Sequence, residues 1–125
     1  MQNMTFRFGP VAMSNTLTTN ILNPGTTTGG VASTSAPYAV LNITLKHIRI
    51  VNKTGGAVTF SLWLGATGGN AAGTEVIGIA QSVAANSAYD WFGTMRLGTA
   101  DFLVGGASAA TSLTIQGEGE IGVGA

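Results

Sequence analysis

The stretch that decides the fold is Leu41-Asn42-Ile43-Thr44-Leu45-Lys46-His47-Ile48-Arg49-Ile50. Apolar residues occupy alternate positions in it, as in a β-strand that lays one face against a core. These positions are odd-numbered up to Leu45 and even-numbered from Ile48 onward. Because side chains alternate between the two faces of a strand, the change of phase predicts a β-bulge, or a crossing between sheets, at Lys46-His47.

A second alternating segment, Val58-Thr59-Phe60-Ser61-Leu62-Trp63-Leu64, follows the turn Asn52-Lys53-Thr54-Gly55-Gly56. Its even positions are apolar and are predicted to face the core, whereas Trp63 is predicted to face outward. We expect the two glycines of the turn to supply the positive φ of a tight connection. Residues 39–52 and 57–66 are therefore predicted to pair as a β-hairpin.

The rest of the chain shows short strand patterns separated by Gly, Thr, Asn and Ala turns. These patterns predict an all-β fold: a single antiparallel β-sandwich or jelly-roll-like domain of about seven or eight strands. We assign residues 38–125 to the sandwich. Residues 1–37 are expected to be an extended N-terminal region with short strands and a Thr/Gly-rich loop. The sequence leaves open whether that region is an arm or part of the sandwich. The further strands are expected at 5–12, 16–22, 75–80, 88–97, 102–104 and 112–123.

Composition argues against several classes of partner. The 125 residues are 45% apolar and only 8% charged, with a formal net charge of zero and no cysteine. Phosphate neutralisation needs clustered Lys and Arg, so no nucleic-acid partner is expected. The chain has neither a signal-peptide pattern nor an apolar run long enough for a membrane helix, so no membrane partner and no export are expected. A surface with so few charges does little to keep copies of the chain apart, so a homo-oligomer is expected.

Two motifs allow a chemical interpretation and a structural one. Gly117–Gly122 matches the G-x-G-x-x-G pattern of dinucleotide sites, but the helix that such a site requires does not follow. Its glycines fit better where two backbones or two subunits approach closely.

His47 is the single histidine, and no nucleophile motif accompanies it. We expect it to lie at the bulge with its ring nitrogens hydrogen-bonded.

Glu118 and Glu120 share one face of the last strand, roughly 7 Å apart. Paired carboxylates suit glycoside hydrolysis or calcium binding. The alternative, which we favour, is a solvated face or ion pairs with Arg96 or Arg49.

Trp63 and Trp91 each lie on a strand whose other face is also apolar. They are expected either to be covered, by loops or by a neighbouring subunit, or to form a stacking platform for a sugar or a partner protein.

We predict no catalytic residue, no metal and no cofactor. The candidate subunit or partner contacts are Trp63, Trp91, Glu118 and Glu120.

Four segments from residue 38 onward carry a family resemblance. They are Leu45–Leu64, Gly68–Glu75, Val83–Trp91 and Gly117–Gly122. In this order they resemble small virion proteins of tailed bacteriophages. The resemblance implies a non-enzymatic β-sandwich protein of the particle, with capsid decoration or cementing as the first choice. Such a protein would lie on the capsid surface and bind the major capsid protein as a homo-oligomer, for which a trimer suits the lattice symmetry.

Two alternatives remain open at this point. One is a tail, neck or fibre component that binds a host glycan through Trp63 or Trp91. The other is a small carbohydrate-active enzyme that uses Glu118 and Glu120. For a cement protein, residues 1–37 are the expected grip, draped over a coat subunit and adding strand pairs to an open sheet edge.

Overall fold

The computed structural model describes residues 2–22, 31–32, 39–71, 73–98 and 100–124, and these residues form strands and turns without a helix. Seven strands have six or more residues and two are shorter, in agreement with the seven or eight expected. Within the described residues, no helix could cross a membrane. In chain order the strands are β1 (Gln2–Ala12), β2 (Asn20–Leu22), β3 (Val31–Ala32), β4 (Ala39–Asn52), β5 (Val58–Gly65), β6 (Ile77–Val83), β7 (Ala88–Leu97), β8 (Phe102–Ala107) and β9 (Leu113–Gly124).

The strands form two antiparallel sheets around one hydrophobic core. Sheet A has five strands in the order β3-β1-β9-β4-β7, and sheet B has four in the order β2-β8-β5-β6. The aromatic rings of Phe60 in β5 and Tyr89 in β7 meet across the core, with their centroids 5.3 Å apart. The predicted antiparallel β-sandwich is thus confirmed.

The β-bulge in β4 lies where the sequence predicts it. Leu45 pairs with Gly119 of β9, and His47 pairs with the adjacent Glu118, so Lys46 is an extra residue in β4. Leu45 and Ile48 are both fully buried, which confirms that the inward phase changes between them. Consequently two consecutive side chains, Lys46 and His47, both face the outer side of sheet A.

Glycines in β9 make room for the bulged strand and for β1. A Cβ on Gly119 would overlap the carbonyl oxygen of Thr44, and a Cβ on Gly117 would overlap the ring of Phe8. The G-x-G-x-x-G pattern lies inside a strand and precedes no helix in the described residues. Its interpretation as a site of close backbone approach is therefore confirmed.

The prediction that residues 39–52 and 57–66 pair as a hairpin is wrong. β4 lies in sheet A between β9 and β7, whereas β5 lies in sheet B between β8 and β6. Because both edges of β4 are already paired, the chain crosses from one sheet to the other at residues 53–57. Neither Gly55 nor Gly56 has the positive φ expected of it.

The buried side chain of Asn52 organises this crossing instead. Its Nδ2 donates hydrogen bonds to the carbonyls of Gly56 (2.9 Å) and Val83 (3.0 Å). Its Oδ1 accepts from the backbone N–H (2.9 Å) and the hydroxyl (2.7 Å) of Thr54. Although Asn52 is only 1% exposed, both ends of its amide are thus satisfied.

Described N-terminal residues belong to the sandwich. β1 is an internal strand of sheet A, paired with β3 on one side and β9 on the other, and β2 pairs with β8. Phe6 and Phe8 of β1 and Leu22 of β2 are buried in the shared core. Residues 2–22 are therefore not a separate arm. Apart from β3, the excursion expected over residues 23–37 lies outside the described residues.

The close approach at Gly119 yields a stability prediction. Gly119→Ala should lower the free energy of unfolding by about 1–3 kcal/mol or more, because the added methyl meets backbone that cannot rotate away. Gly55→Ala is the matched control, since a methyl group added there would have no atom within 4 Å. Urea denaturation of both variants measures the difference. Equal free energies of unfolding would contradict the close approach.

Candidate functional site

Charged residues are concentrated on the outer face of sheet A. The chain has five basic and five acidic residues, and seven of these ten alternate with buried residues on strands of this sheet. The other three, in turns and loops, are Lys53, Glu75 and Asp101. This surface is called the charged face below. Its seven charged residues are Arg7, Lys46, Arg49, Asp90, Arg96, Glu118 and Glu120.

His47 lies at the centre of the charged face. Its Nδ1 is 3.2 Å from Oε1 of Glu118 on β9, and its Nε2 is 2.8 Å from Oδ1 of Asp90 on β7. The prediction of a histidine at the bulge with both ring nitrogens hydrogen-bonded is confirmed. Since both partners are acceptors, a doubly protonated ring donates to both, whereas a neutral ring donates to only one.

Further ion pairs flank the histidine. Nζ of Lys46 is 3.0 Å from Oε2 of Glu120, and Nη1 of Arg49 is 3.4 Å from both carboxylate oxygens of Asp90. The bulge makes this arrangement possible, because it turns Lys46 and His47 to the same side, where the side chain of each reaches a glutamate of β9. Opposite charges thus alternate from strand to strand across the face.

Phe92 adds an exposed aromatic ring to this polar surface. It stacks on the imidazole of His47 with ring centroids 4.5 Å apart and an interplanar angle of 6°. It nevertheless remains 73% exposed, more than any other large apolar side chain that the structure describes. The alternation in β7 places Phe92 outward, opposite in phase to the buried Met95, and this was the signal available in the sequence.

The stacked pair borders a shallow groove. The groove has a volume of about 400 Å³ and runs over β1, β9 and β4 toward Phe92. It presents an aromatic edge, carboxylates and an ammonium group within one concavity. Its polar lining residues are Thr5, Lys46, His47, Glu118 and Glu120.

Trp63 is not available as a contact residue. It faces outward from sheet B as predicted, yet it is only 5% exposed. Its Nε1 donates a 3.0 Å hydrogen bond to the carbonyl of Ala71, so the chain's own loop covers the ring. The prediction that a loop covers Trp63 is confirmed. The alternative, that Trp63 forms an open stacking platform, is wrong.

Trp91 is half-buried against the core rather than presented to solvent. It shares the inward phase of β7 with Met95 and Leu97, and its ring lies close to Gly93. The aromatic side chain that β7 offers to a partner is therefore the neighbouring Phe92. Phe92 is not among the contacts predicted from the sequence, which named Trp91 on this strand.

Glu118 and Glu120 face outward together, as predicted. Their basic partners are His47 and Lys46, however, and not the expected Arg96 or Arg49. The register between β4 and β9 decides this, because it sets Glu118 opposite the histidine at the bulge.

Within the described residues, no group of three or more His, Cys, Asp or Glu side chains is arranged to hold a metal ion. No protein-family model, curated protein or solved structure matches the chain. The geometry of the charged face is therefore the basis for the functional proposal that follows.

The exposed ion pairs should contribute little to folding. We expect Asp90→Ala to lower the free energy of unfolding by less than about 1 kcal/mol, because pairs this open to solvent are weak. Trp63→Ala, which removes a buried ring, should cost about 3–5 kcal/mol. Urea denaturation compares the two variants. If Asp90→Ala lowered the free energy of unfolding as much as Trp63→Ala does, the ion pairs around His47 would serve mainly to stabilise the fold.

Proposed function

We propose that the protein is a structural component of a bacteriophage particle, a capsid decoration or cement protein whose charged face binds the coat lattice. The observation behind the proposal is the asymmetry of the sandwich. One outer face holds most of the chain's charges around the exposed Phe92, whereas the other buries its outward Trp63 under the chain's own loop. The charged face combines the most exposed aromatic ring with most of the charges, and it is therefore the face better suited to a partner.

The chemistry of the charged face favours a protein partner. Protein interfaces are enriched in aromatic residues and arginine, with polar groups around a desolvated centre. Phe92, which is exposed in the free protein, would form such a centre once a partner covers it, and Arg7, Arg49 and Arg96 lie on the same face. The side chains of His47 and Asp90 are held in place by ion pairs and stacking before any partner arrives, which reduces the entropy lost on binding.

Mixed charge on this face also fits attachment to a lattice of many copies. The chain has a formal net charge of zero, and cations and anions alternate across the face. Such a surface selects a partner by the match of individual charges rather than by a long-range field. Binding to the coat should therefore lack the steep salt dependence of an interaction steered by a large net charge.

The sequence resemblance supports the choice of a virion protein and of the capsid within it. On this proposal the protein is made in the host cytoplasm, acts without a cofactor or catalysis, and binds the major capsid protein and further copies of itself. The grip expected from residues 1–37 is reassigned for residues 2–22, because β1 and β2 are strands of the sandwich and not an extended arm. The charged face takes over that role.

A tail, neck or fibre protein that binds a glycan is the second candidate. One ring face of Phe92 stacks on His47 and the ring is otherwise open, beside carboxylates that can accept hydrogen bonds from sugar hydroxyls. This role no longer rests on Trp63 or Trp91. Copy number separates the two candidates, since a decoration protein is present in hundreds of copies and a tail protein in at most a few dozen.

Rebinding to particles stripped of the protein tests the proposal. Phe92→Ala and Arg49→Glu should each weaken binding at least about tenfold, because each removes a feature of the charged face. Ile79→Ser is the matched control: it removes an apolar side chain that is 72% exposed on sheet B, and it should bind like the parent protein.

Normal binding by both charged-face variants would overturn the proposal. Loss of binding by the control alone would assign attachment to sheet B. Unchanged particle binding together with loss of binding to a panel of glycans by Phe92→Ala would favour the second candidate.

A further inference from the structure

An open strand edge borders the charged face. β7 is the last strand of sheet A, and in the described structure nothing pairs with its outer edge. It is ten residues long and contains neither proline nor lysine, the residues that often protect such edges. A strand of this kind offers a row of backbone donors and acceptors for another strand.

The charges of β7 are complementary to themselves. Asp90 and Arg96 are its only charged residues, and both face outward. When two copies of a strand pair antiparallel about a two-fold axis, residues equally distant from the axis face one another. An axis at Gly93 places Asp90 of each copy opposite Arg96 of the other copy, which gives two such contacts. No other two-fold register brings these two residues opposite each other.

The arginine is free for this contact. Among the ion pairs of the described residues, none involves Arg96, whereas Asp90 contacts both Arg49 and His47. A second copy would therefore give Arg96 an acidic partner and place a further cation beside Asp90, in addition to Arg49. The irregularity in the pairing of β7 with β4 falls at residues 93–94, next to the axis. Gly93 has no side chain of its own there, and the ring of Trp91 from the same chain lies over that position.

Side chains on both faces of β7 also match in this register. On the outer face Phe92 lies opposite Thr94, and the two Phe92 rings are diagonal neighbours about 7–8 Å apart at Cα, within reach of each other. On the inner face the half-buried Trp91 lies opposite Met95. The pairing thus gives contacts to Phe92 and Trp91, two of the three aromatic side chains of the strand.

We propose that two copies of the chain pair through their β7 edges, antiparallel about a two-fold axis at Gly93. The two five-stranded sheets then form one continuous sheet of ten strands. Edge pairing leaves the outer surfaces open, so two charged faces lie side by side. The inference goes beyond the proposed function, since it requires no particle. It also predicts a dimer in place of the trimer expected from lattice symmetry.

Charge exchange tests the register. Light scattering of the parent protein across a dilution series should give about 25 kDa, twice the chain mass of 12.6 kDa. Arg96→Asp and Asp90→Arg should each weaken self-association at least about tenfold, because each places like charges opposite one another twice. An equimolar mixture of the two variants should restore the dimer, since both contacts then join opposite charges. Lys53→Glu, a charge reversal in the exposed turn at residues 53–57, is the control and should not change the mass.

Cross-linking gives an independent measurement of the pairing. It tests the inference even where Asp90→Arg does not fold. The chain contains no cysteine, so the double variant Phe92→Cys/Thr94→Cys has only its two introduced thiols. Within one chain they lie roughly 7 Å apart, too far for a disulfide, whereas across the axis they face each other. Oxidation should convert most of the protein to a covalent dimer on a non-reducing gel. A parent protein that remains at 12.6 kDa at micromolar concentration, a trimer, or a double variant that stays uncoupled would each overturn the inference.

Discussion

The close contact between the bulged strand β4 and the glycines of β9 is the constraint on which the other features depend. β9 lies between β1 and β4, and the side-chain-free position at Gly119 lets the backbone of β4 approach at Thr44. The bulge then changes the phase of β4, which keeps Ile48 in the core after Leu45. Without that change, the second half of the strand would turn its apolar side chains to solvent.

The same bulge builds the charged face. Two consecutive residues, Lys46 and His47, face outward at one point of a strand that otherwise alternates, and each meets a glutamate of β9. The histidine also reaches Asp90 and supports the ring of Phe92. A local irregularity that the core requires thereby creates a dense, pre-arranged polar surface on a chain with few charges. This link between packing and surface chemistry is why we propose that a partner binds to sheet A.

Local pattern predicts much of this structure, and non-local pairing accounts for most of the differences. Alternation locates the bulge, the inward faces of β5 and β9, and the outward glutamates, because each depends on neighbouring residues in one strand. Alternation does not say which strand lies beside which, so the segments 39–52 and 57–66 are predicted to form one hairpin although they lie in different sheets. Likewise, a loop without periodicity covers Trp63, and its position could not be read from the strand.

Attachment through the charged face is the central claim, and a reconstruction of the intact particle by cryo-electron microscopy tests it most directly. We expect many copies of the sandwich on the outer surface of the shell, with the sheet A side around His47 and Phe92 turned toward the coat protein. Density confined to the tail, or a sandwich that contacts the shell through the loop over Trp63, would contradict the claim.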